Sequence, residues 1–165
     1  MTRIPQRGTP ATLLLTCGLP GSGKTTLARR LEAERDALRL TKDEWVLDLG
    51  GDLWDDRLRD RLEAKLIELA FELLAAGRSC ILDFGLWSRE ERDALRLRAR
   101  RLGVRVELHF LDVELAELVR RSAQRYADTP ETTTEITAAQ LAVWATTFEA
   151  PSRAELLLFD PPPTS

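Results

Sequence analysis

The chain has 165 residues, of which 44% are hydrophobic and 31% are charged, and this length and composition predict one compact globular domain rather than a disordered chain. Its 24 basic and 27 acidic residues give a net charge of −3. The chain therefore lacks the overall positive field that is typical of nucleic-acid-binding proteins, although a local basic patch is still compatible with the sequence.

Short apolar segments alternate with amphipathic helices along the chain. The predicted strands are, in order, residues 11–17, 38–41, 79–83, 104–112 and 156–159. The predicted helices are residues 24–35, 56–76, 89–102, 114–124 and 137–149. Continuously apolar strands are typical of a parallel sheet that is buried on both faces. We therefore predict an α/β fold, a three-layer, doubly wound, mostly parallel five-stranded sheet that binds its ligands at the carboxyl ends of the strands.

The first predicted strand runs into a glycine-rich loop that opens a helix. The loop matches the P-loop pattern G-x-x-x-x-G-K-[ST] and reads Gly18-Leu19-Pro20-Gly21-Ser22-Gly23-Lys24-Thr25. In such loops backbone N–H groups cradle the phosphates, the lysine adds a point charge and the Ser or Thr hydroxyl binds Mg²⁺. The chain is therefore predicted to bind a nucleoside triphosphate. The predicted nucleotide-binding residues in this region are Gly18, Pro20, Gly21, Ser22, Gly23, Lys24, Thr25 and Thr26.

The motifs favour ATP over GTP. The segment Asp48-Leu49-Gly50-Gly51 matches the D-x-x-G motif of GTPases, but the N-K-x-D motif that reads guanine does not follow it. No residue pattern reads adenine directly. We therefore expect ATP, together with Mg²⁺.

Two aspartates follow later predicted strands, where a parallel sheet places its functional groups. Asp43 follows the second strand, and its carboxylate could deprotonate an acceptor hydroxyl for attack on the γ-phosphate. Alternatively, Asp43 caps a short helix. Asp83 ends the third strand, as the Walker B acid of P-loop proteins does, and could hold Mg²⁺ or line the acceptor pocket. The sequence leaves these alternatives open.

Three arginines, Arg120, Arg121 and Arg125, lie on the predicted helix that precedes a polar, threonine-rich segment. Arg121 and Arg125 are spaced to share one helix face, with Arg120 close beside it. Their guanidinium groups could form a lid that clamps the transferring phosphoryl group. A solvated basic surface is the alternative interpretation.

The chain is rich in tryptophan relative to its other aromatic residues. Trp45 comes soon after Asp43, Trp87 comes soon after Asp83, and Trp54 lies in the segment between them. If these rings face the cleft, the acceptor has a flat face that binds by stacking. Core packing is the alternative.

Together these segments resemble a known family. The blocks GLPGSGKTT, LTKDEW, CILDFGLWSREERD and FLDVELAELVRRSAQR are similar to those of small P-loop kinases of the polynucleotide kinase, zeta toxin and chloramphenicol phosphotransferase group. The resemblance covers residues 13–125, and residues 144–151 resemble the C-terminal part of bacterial AAA family ATP-binding proteins of that group. It implies that Asp43 is the acceptor-hydroxyl base, that Asp83 shapes the acceptor side, and that Arg121 or Arg125 is the lid arginine.

The resulting hypothesis is an ATP-dependent kinase that phosphorylates a hydroxyl of a small molecule, such as an antibiotic, a sugar or a nucleoside. Polynucleotide kinases typically carry an arginine three residues after the base, where this chain has Val46. That departure and the acidic net charge disfavour a nucleic-acid acceptor. A 5′-hydroxyl polynucleotide kinase and a regulatory ATPase or nucleotide sensor are the alternatives.

The predicted site can be stated residue by residue. The catalytic residues are Lys24, Asp43, Arg121 and Arg125, and both arginines also bind the nucleotide. The acceptor-binding residues are Asp43, Trp45, Asp83 and Trp87. The metal-binding residues are Thr25 and Asp83.

The sequence also predicts a compartment and domain limits. Cys17 and Cys80 lie in or beside apolar runs, which is typical of reduced, buried thiols in a cytoplasmic protein. No run approaches the roughly 20 apolar residues of a membrane span, so no membrane partner is expected. We expect a flexible arm over residues 1–10, one kinase domain over residues 11–160 and a disordered tail over residues 161–165. The oligomeric state is left open.

Overall fold

The computed structural model describes residues 10–130 and 133–163, and the predicted arm lies, apart from Pro10, outside them. Four strands form one sheet in the order β2-β3-β1-β4, and every pairing in it is parallel. The strands are β1 (Thr12–Cys17), β2 (Leu38–Leu40), β3 (Cys80–Leu82) and β4 (Arg105–Phe110). The helices are α1 (Lys24–Arg35), α2 (Lys42–Asp48), α3 (Asp56–Ala75), α4 (Arg89–Arg101), α5 (Leu115–Asp128), α6 (Ala138–Thr147) and α7 (Arg153–Leu156).

The sheet is covered on both faces, as the apolar strands predict. Successive side chains of a strand point to opposite faces, so neighbouring residues of β1 enter different cores. Leu13 and Leu15 pack in the larger core, to which α3 and α4 contribute, for example through Phe71. Leu14 packs in the smaller core with Leu31 of α1. The three-layer α/β architecture is therefore confirmed.

The central position of β1 sets the location of the functional loops. β1 pairs with β3 on one side and with β4 on the other, while β2 forms the edge beyond β3. Because all strands are parallel, the segments that follow Cys17, Leu40 and Leu82 emerge at the same end of the sheet. Among the described residues, no helix is both long enough and apolar enough to cross a membrane.

The predicted fifth strand at residues 156–159 is wrong. This segment begins inside α7 and continues as turns, so the described sheet has four strands. Ser152 caps α7 by accepting a hydrogen bond from the backbone N–H of Glu155 at 3.1 Å. The outer edge of β4 is instead covered by Asp160, whose N–H donates to the Val106 carbonyl at 2.8 Å. A carboxylate oxygen of Asp160 accepts from the Val106 N–H at 2.7 Å.

Candidate active site

The glycine-rich loop after β1 is held closely against neighbouring elements. Its first residue, Gly18, donates its N–H to the carbonyl of Gly85 after β3 at 3.0 Å. Gly21 has a φ of +83°, and a Cβ there would lie 3.0 Å from Oγ of Ser122 on α5. The loop therefore requires glycine at Gly21 both for its backbone conformation and for the close approach of α5.

Lys24 is the first residue of α1 and lies at the centre of the predicted site. Its Nζ donates to the Leu19 carbonyl across the loop at 2.8 Å. Burial lowers the pKa of Lys24 to about 8, and the negative charges of Asp83 and Asp43 oppose that effect. The structure thus brings together charged groups that follow three different strands. Thr25 and Thr26 lie beside Lys24 in the first, exposed turn of α1.

Asp83, at the end of β3, is buried beneath the loop. Its Oδ1 accepts a hydrogen bond from the Thr16 hydroxyl at 3.4 Å, and its Oδ2 has no hydrogen-bond partner among the described residues. Burial raises the pKa of this carboxyl, while Thr25 and the cations Arg39 and Lys24 oppose the rise. Mg²⁺ prefers oxygen ligands, and the Asp83 carboxylate together with the Thr25 hydroxyl offers such oxygens.

Asp43 lies in the first turn of α2 and is exposed. The N-cap of α2 is Thr41, so the alternative that Asp43 caps this helix is wrong. The Asp43 side chain is 59% exposed, and its Oδ1 lies 3.5 Å from Nη2 of Arg59 on α3. The carboxylate is therefore accessible from solvent, and its charge, like that of Asp83, opposes the lowering of the Lys24 pKa.

The three arginines of α5 have different surroundings. Arg120 and Arg121 both donate to the Glu117 carboxylate, at 2.8 and 2.6 Å, and their hydrogen bonds lower the pKa of Glu117 to about 2. Arg125 has no side-chain hydrogen bond or ion pair within the described part of the chain, and its charge contributes to lowering the pKa of Lys24. Of the two proposed lid arginines, Arg125 is thus the one without a carboxylate partner among the described residues.

The tryptophans are more dispersed than their positions in the chain suggested. Trp45 lies two residues from Asp43 on α2, and residues with that spacing project to opposite sides of a helix. Trp45 and Trp54 are 40% and 51% exposed. Trp87 is half-buried and packs against Trp144 of α6, with ring centroids 5.9 Å apart. The structure therefore does not gather these rings around Asp43.

Position 46, where polynucleotide kinases typically carry an arginine, faces inward. Val46 is fully buried in α2, and its Cγ1 lies 3.1 Å from the position of a Cβ on Gly51. The guanidinium that lies near Asp43 belongs instead to Arg59, on α3. Sequence reasoning missed Arg59 because nothing local in α3 marks it.

Arg39 of β2 was missed as well, although a charged residue in an otherwise apolar strand is a usable signal. Its guanidinium lies 3.6 Å from Oδ2 of Asp83 and forms a hydrogen bond of 2.8 Å with Glu44. It connects the ends of β2 and β3 with α2. This network fixes the carboxylate that is predicted to bind metal relative to the helix that carries Asp43.

A buried ion pair supports the loop between β3 and α4. Leu86 in this loop has a φ of +48°, which is unusual for a residue with a side chain. Its carbonyl accepts hydrogen bonds from Arg92 at 2.9 Å and from the thiol of Cys17 at 3.4 Å. Arg92 also forms a bidentate pair with Glu155 of α7, at 2.6 and 3.1 Å. The loop next to Asp83 is therefore tied to the C-terminal segment.

Comparison with solved structures shows the same fold in several kinases. A structure of the Pnkp1/Rnl/Hen1 RNA repair complex matches with a TM-score of 0.71 and 23% identity, over 85% of this chain and 44% of that chain. This chain therefore spans less than half the length of that protein. A gluconokinase from Sinorhizobium meliloti 1021 matches with a TM-score of 0.62 and 22% identity, over 91% of this chain and 81% of that one.

A third structure is that of the Mycobacterium tuberculosis APS kinase CysC in complex with AMPPNP and APS. It matches with a TM-score of 0.61 and 21% identity, over 88% of this chain and 86% of that chain. No significant match was found among curated proteins. The AAA domain family model matches residues 13–151, which is most of the chain. With its P-loop, parallel sheet and kinase-like fold, the chain belongs to the AAA domain family as a P-loop kinase-like nucleotide-binding domain.

Proposed function

We propose that the protein transfers the γ-phosphoryl group of ATP to a hydroxyl of a small molecule. The observation that carries this proposal is that three charged residues follow parallel strands of one sheet at the same end, Lys24 after β1, Asp43 after β2 and Asp83 after β3. A P-loop that only sensed nucleotide would not need an exposed carboxylate, Asp43, at the same end of the sheet as the P-loop lysine. Its position suits a base that receives a proton from an acceptor.

The proposed reaction is an in-line displacement. The acceptor hydroxyl gives its proton to the carboxylate of Asp43, and its oxygen bonds to the γ-phosphorus. The bond between that phosphorus and the β–γ bridging oxygen breaks, and ADP leaves. Lys24 and Arg125 stabilise the negative charge on the phosphoryl oxygens as it moves.

Thr25 and Asp83 would hold Mg²⁺, which neutralises phosphate charge when bound. Oδ2 of Asp83 supports this assignment, because among the described residues it accepts no hydrogen bond, although the Arg39 guanidinium lies 3.6 Å from it. Asp83 and the loop that follows it would also shape the acceptor side. Trp45 and Trp87 remain candidate acceptor contacts, although Trp87 already packs on Trp144.

A small acceptor is favoured over a polynucleotide by the charges on the acceptor side. Lys42 pairs with Glu63, Arg59 with Asp43, and Arg39 with Glu44, so these cations are already neutralised. Binding of a phosphate backbone depends on cations that are available to it. The similarity to a structure of an RNA repair complex keeps a 5′-hydroxyl polynucleotide as the alternative acceptor.

We also propose that the protein acts in the cytoplasm. Both cysteines are free and buried, and burial raises the pKa of Cys17 to about 11 and of Cys80 to about 12. Thiols held in this protonated state are unreactive. Free cysteines without disulfides are typical of proteins in a reducing compartment.

The test is a screen for ADP release and for a mass gain of one phosphate on the acceptor. Sugars, nucleosides, antibiotics that carry hydroxyl groups and a 5′-hydroxyl oligonucleotide are each incubated with Mg·ATP. Phosphorylation of a small molecule supports the proposal, and phosphorylation of the oligonucleotide alone replaces it with the polynucleotide reaction. ADP release without any phosphorylated acceptor points to a regulatory ATPase.

With an acceptor in hand, Asp43→Asn tests the base. Transfer should fall by about 100-fold or more while ATP affinity is kept, because the carboxylate acts in the chemical step. Asp48→Asn removes an exposed carboxylate from the same helix and is the matched control. Equal rates for the two variants would remove Asp43 from the mechanism.

A further inference from the structure

We propose that Arg59 is a positioning residue that directs the Asp43 carboxylate toward the acceptor. The inference rests on the proposed function, because it assigns a role in orienting the base of that reaction. Nη2 of Arg59 lies 3.5 Å from Oδ1 of Asp43. One carboxylate oxygen thereby faces the guanidinium, and the other is left to receive a proton.

The guanidinium of Arg59 is itself held in place. Its Nη1 donates to the carbonyl of Leu53, in the connection between α2 and α3, at 2.9 Å. The side chain is 30% exposed, against 59% for Asp43. Arg59 thus links the backbone before α3 to the carboxylate on α2, and solvent screens this pair less than a fully exposed one.

The two helices that carry the pair are packed closely at Gly51. A Cβ on Gly51 would lie 2.6 Å from a methyl carbon of Leu58 and 3.1 Å from the carbonyl oxygen of Val46. Asp55 caps α3 by accepting a hydrogen bond from the N–H of Leu58 at 3.0 Å. The backbone that supports Arg59 is therefore fixed relative to the helix that carries Asp43.

Asp43 has no other polar contact among the described residues that would orient it. The flanking residues of α2 are engaged elsewhere, Lys42 with Glu63 and Glu44 with Arg39. An exposed carboxylate must lose rotamer freedom before it can act as a base, and this loss slows the reaction. The contact with Arg59 restricts that freedom in advance.

A double-mutant cycle tests whether Arg59 acts through Asp43. Single-turnover hydrolysis of γ-labelled Mg·ATP, with water as the acceptor, is measured for wild type, Arg59→Ala, Asp43→Asn and the double variant, over days if needed. We expect Arg59→Ala to lower the rate about tenfold or more in the wild-type background. In the Asp43→Asn background the same change should have less than about a twofold effect, because the group it positions is gone.

The controls separate positioning from folding and from loss of charge. Arg61→Ala removes an exposed cation from the same helix and should leave the rate unchanged. Arg59→Lys keeps the positive charge without the planar guanidinium group, and it should restore part of the rate that Arg59→Ala loses. As a control for folding, each variant should unfold in one cooperative thermal transition. Equal losses from Arg59→Ala in both backgrounds would overturn the inference while leaving the base intact. An unchanged rate in Asp43→Asn would instead remove Asp43 as the base of the proposed function, whatever the effect of Arg59→Ala.

Discussion

At the residue scale, the P-loop lysine destabilises the folded protein. Lys24 is shielded from solvent by the loop, and burial lowers its pKa from 10.5 to about 8. The folded state therefore binds the proton of Lys24 less tightly than the unfolded state does. The cost is fully present below pH 8, and it disappears as the pH rises from about 8 to about 10.5.

This cost predicts that Lys24→Met stabilises the protein while it removes Mg·ATP binding. At pH 7 the free energy of unfolding, measured by urea denaturation, should rise by about 2 kcal/mol. The difference between variant and wild type should shrink between pH 8 and pH 10.5, where the wild-type lysine loses its proton. A difference that stays constant over that interval would mean that the gain comes from packing and not from charge.

The arginines of α5 should contribute unequally to the reaction. Arg125→Ala should lower the rate of ATP turnover about 100-fold, because its charge reaches Lys24 and nothing described in the structure pairs with it. Arg120→Ala should have no effect, since that guanidinium is bound by Glu117 on the exposed side of the helix. Arg121→Ala should fall between the two. A larger loss for Arg121→Ala than for Arg125→Ala would reverse the assignment of the lid arginine.

At the scale of secondary-structure elements, the sequence predicted those whose signals are local. The P-loop, β1 and α1 follow from adjacent residues, and the apolar periodicity of α3 gives its length to within a residue. The segment at residues 156–159 is as apolar as the strand β1, yet it does not form a strand. Its conformation depends on Ser152, on Asp160 at the edge of β4 and on the buried pair of Glu155 with Arg92. The contacts of Asp160 with β4 and of Glu155 with Arg92 join residues 54 and 63 positions apart, and they leave no periodic signal in the sequence.

In the candidate site, too, residues with a local sequence signal could be predicted, and residues placed by tertiary packing could not. The placement of Lys24, Asp43 and Asp83 at one end of the sheet could be predicted because each lies in the segment that follows a strand. Arg59 could not, because only the packing of α3 on α2 brings it to Asp43. The contact of Trp87 with Trp144 joins the loop before α4 to α6, and it is set by the whole fold.

The loop after β3 should depend on a glycine that lies against Trp87. A Cβ on Gly85 would lie 2.5 Å from Nε1 of Trp87, so Gly85→Ala must displace the indole and disturb its packing against Trp144. We expect a stability loss of about 1–3 kcal/mol and a changed near-UV circular dichroism spectrum, with the far-UV spectrum preserved. Trp144→Phe should alter the same near-UV bands. An unchanged near-UV spectrum in Gly85→Ala would show that the indole does not occupy this place in solution.

At the scale of the whole molecule, the C-terminal segment completes a domain whose sheet ends at β4. Asp160 covers the edge of that strand, and Arg105 donates to the carbonyl of Pro161 at 2.7 Å, at the start of the predicted tail. Glu155 reaches from α7 to Arg92, which in turn holds the Leu86 carbonyl near the P-loop. The end of the chain thus supports the loop that carries Asp83.

Because Arg92 is completely buried, removing its partner should be severe. Glu155→Gln keeps the shape of the side chain but leaves a buried guanidinium without its counter-charge, which should lower the free energy of unfolding by about 3 kcal/mol. Urea denaturation at pH 7 measures this loss. Glu68→Gln is the matched control, because it breaks a bidentate pair with Arg98 that is exposed to solvent, and its effect should be far smaller.

Mg·ATP affinity should also fall in Glu155→Gln, since the Leu86 loop is joined to Gly18 through Gly85. A stable variant with weakened ATP binding would make the pair a positioning device, whereas an unstable variant with normal binding would make it purely structural.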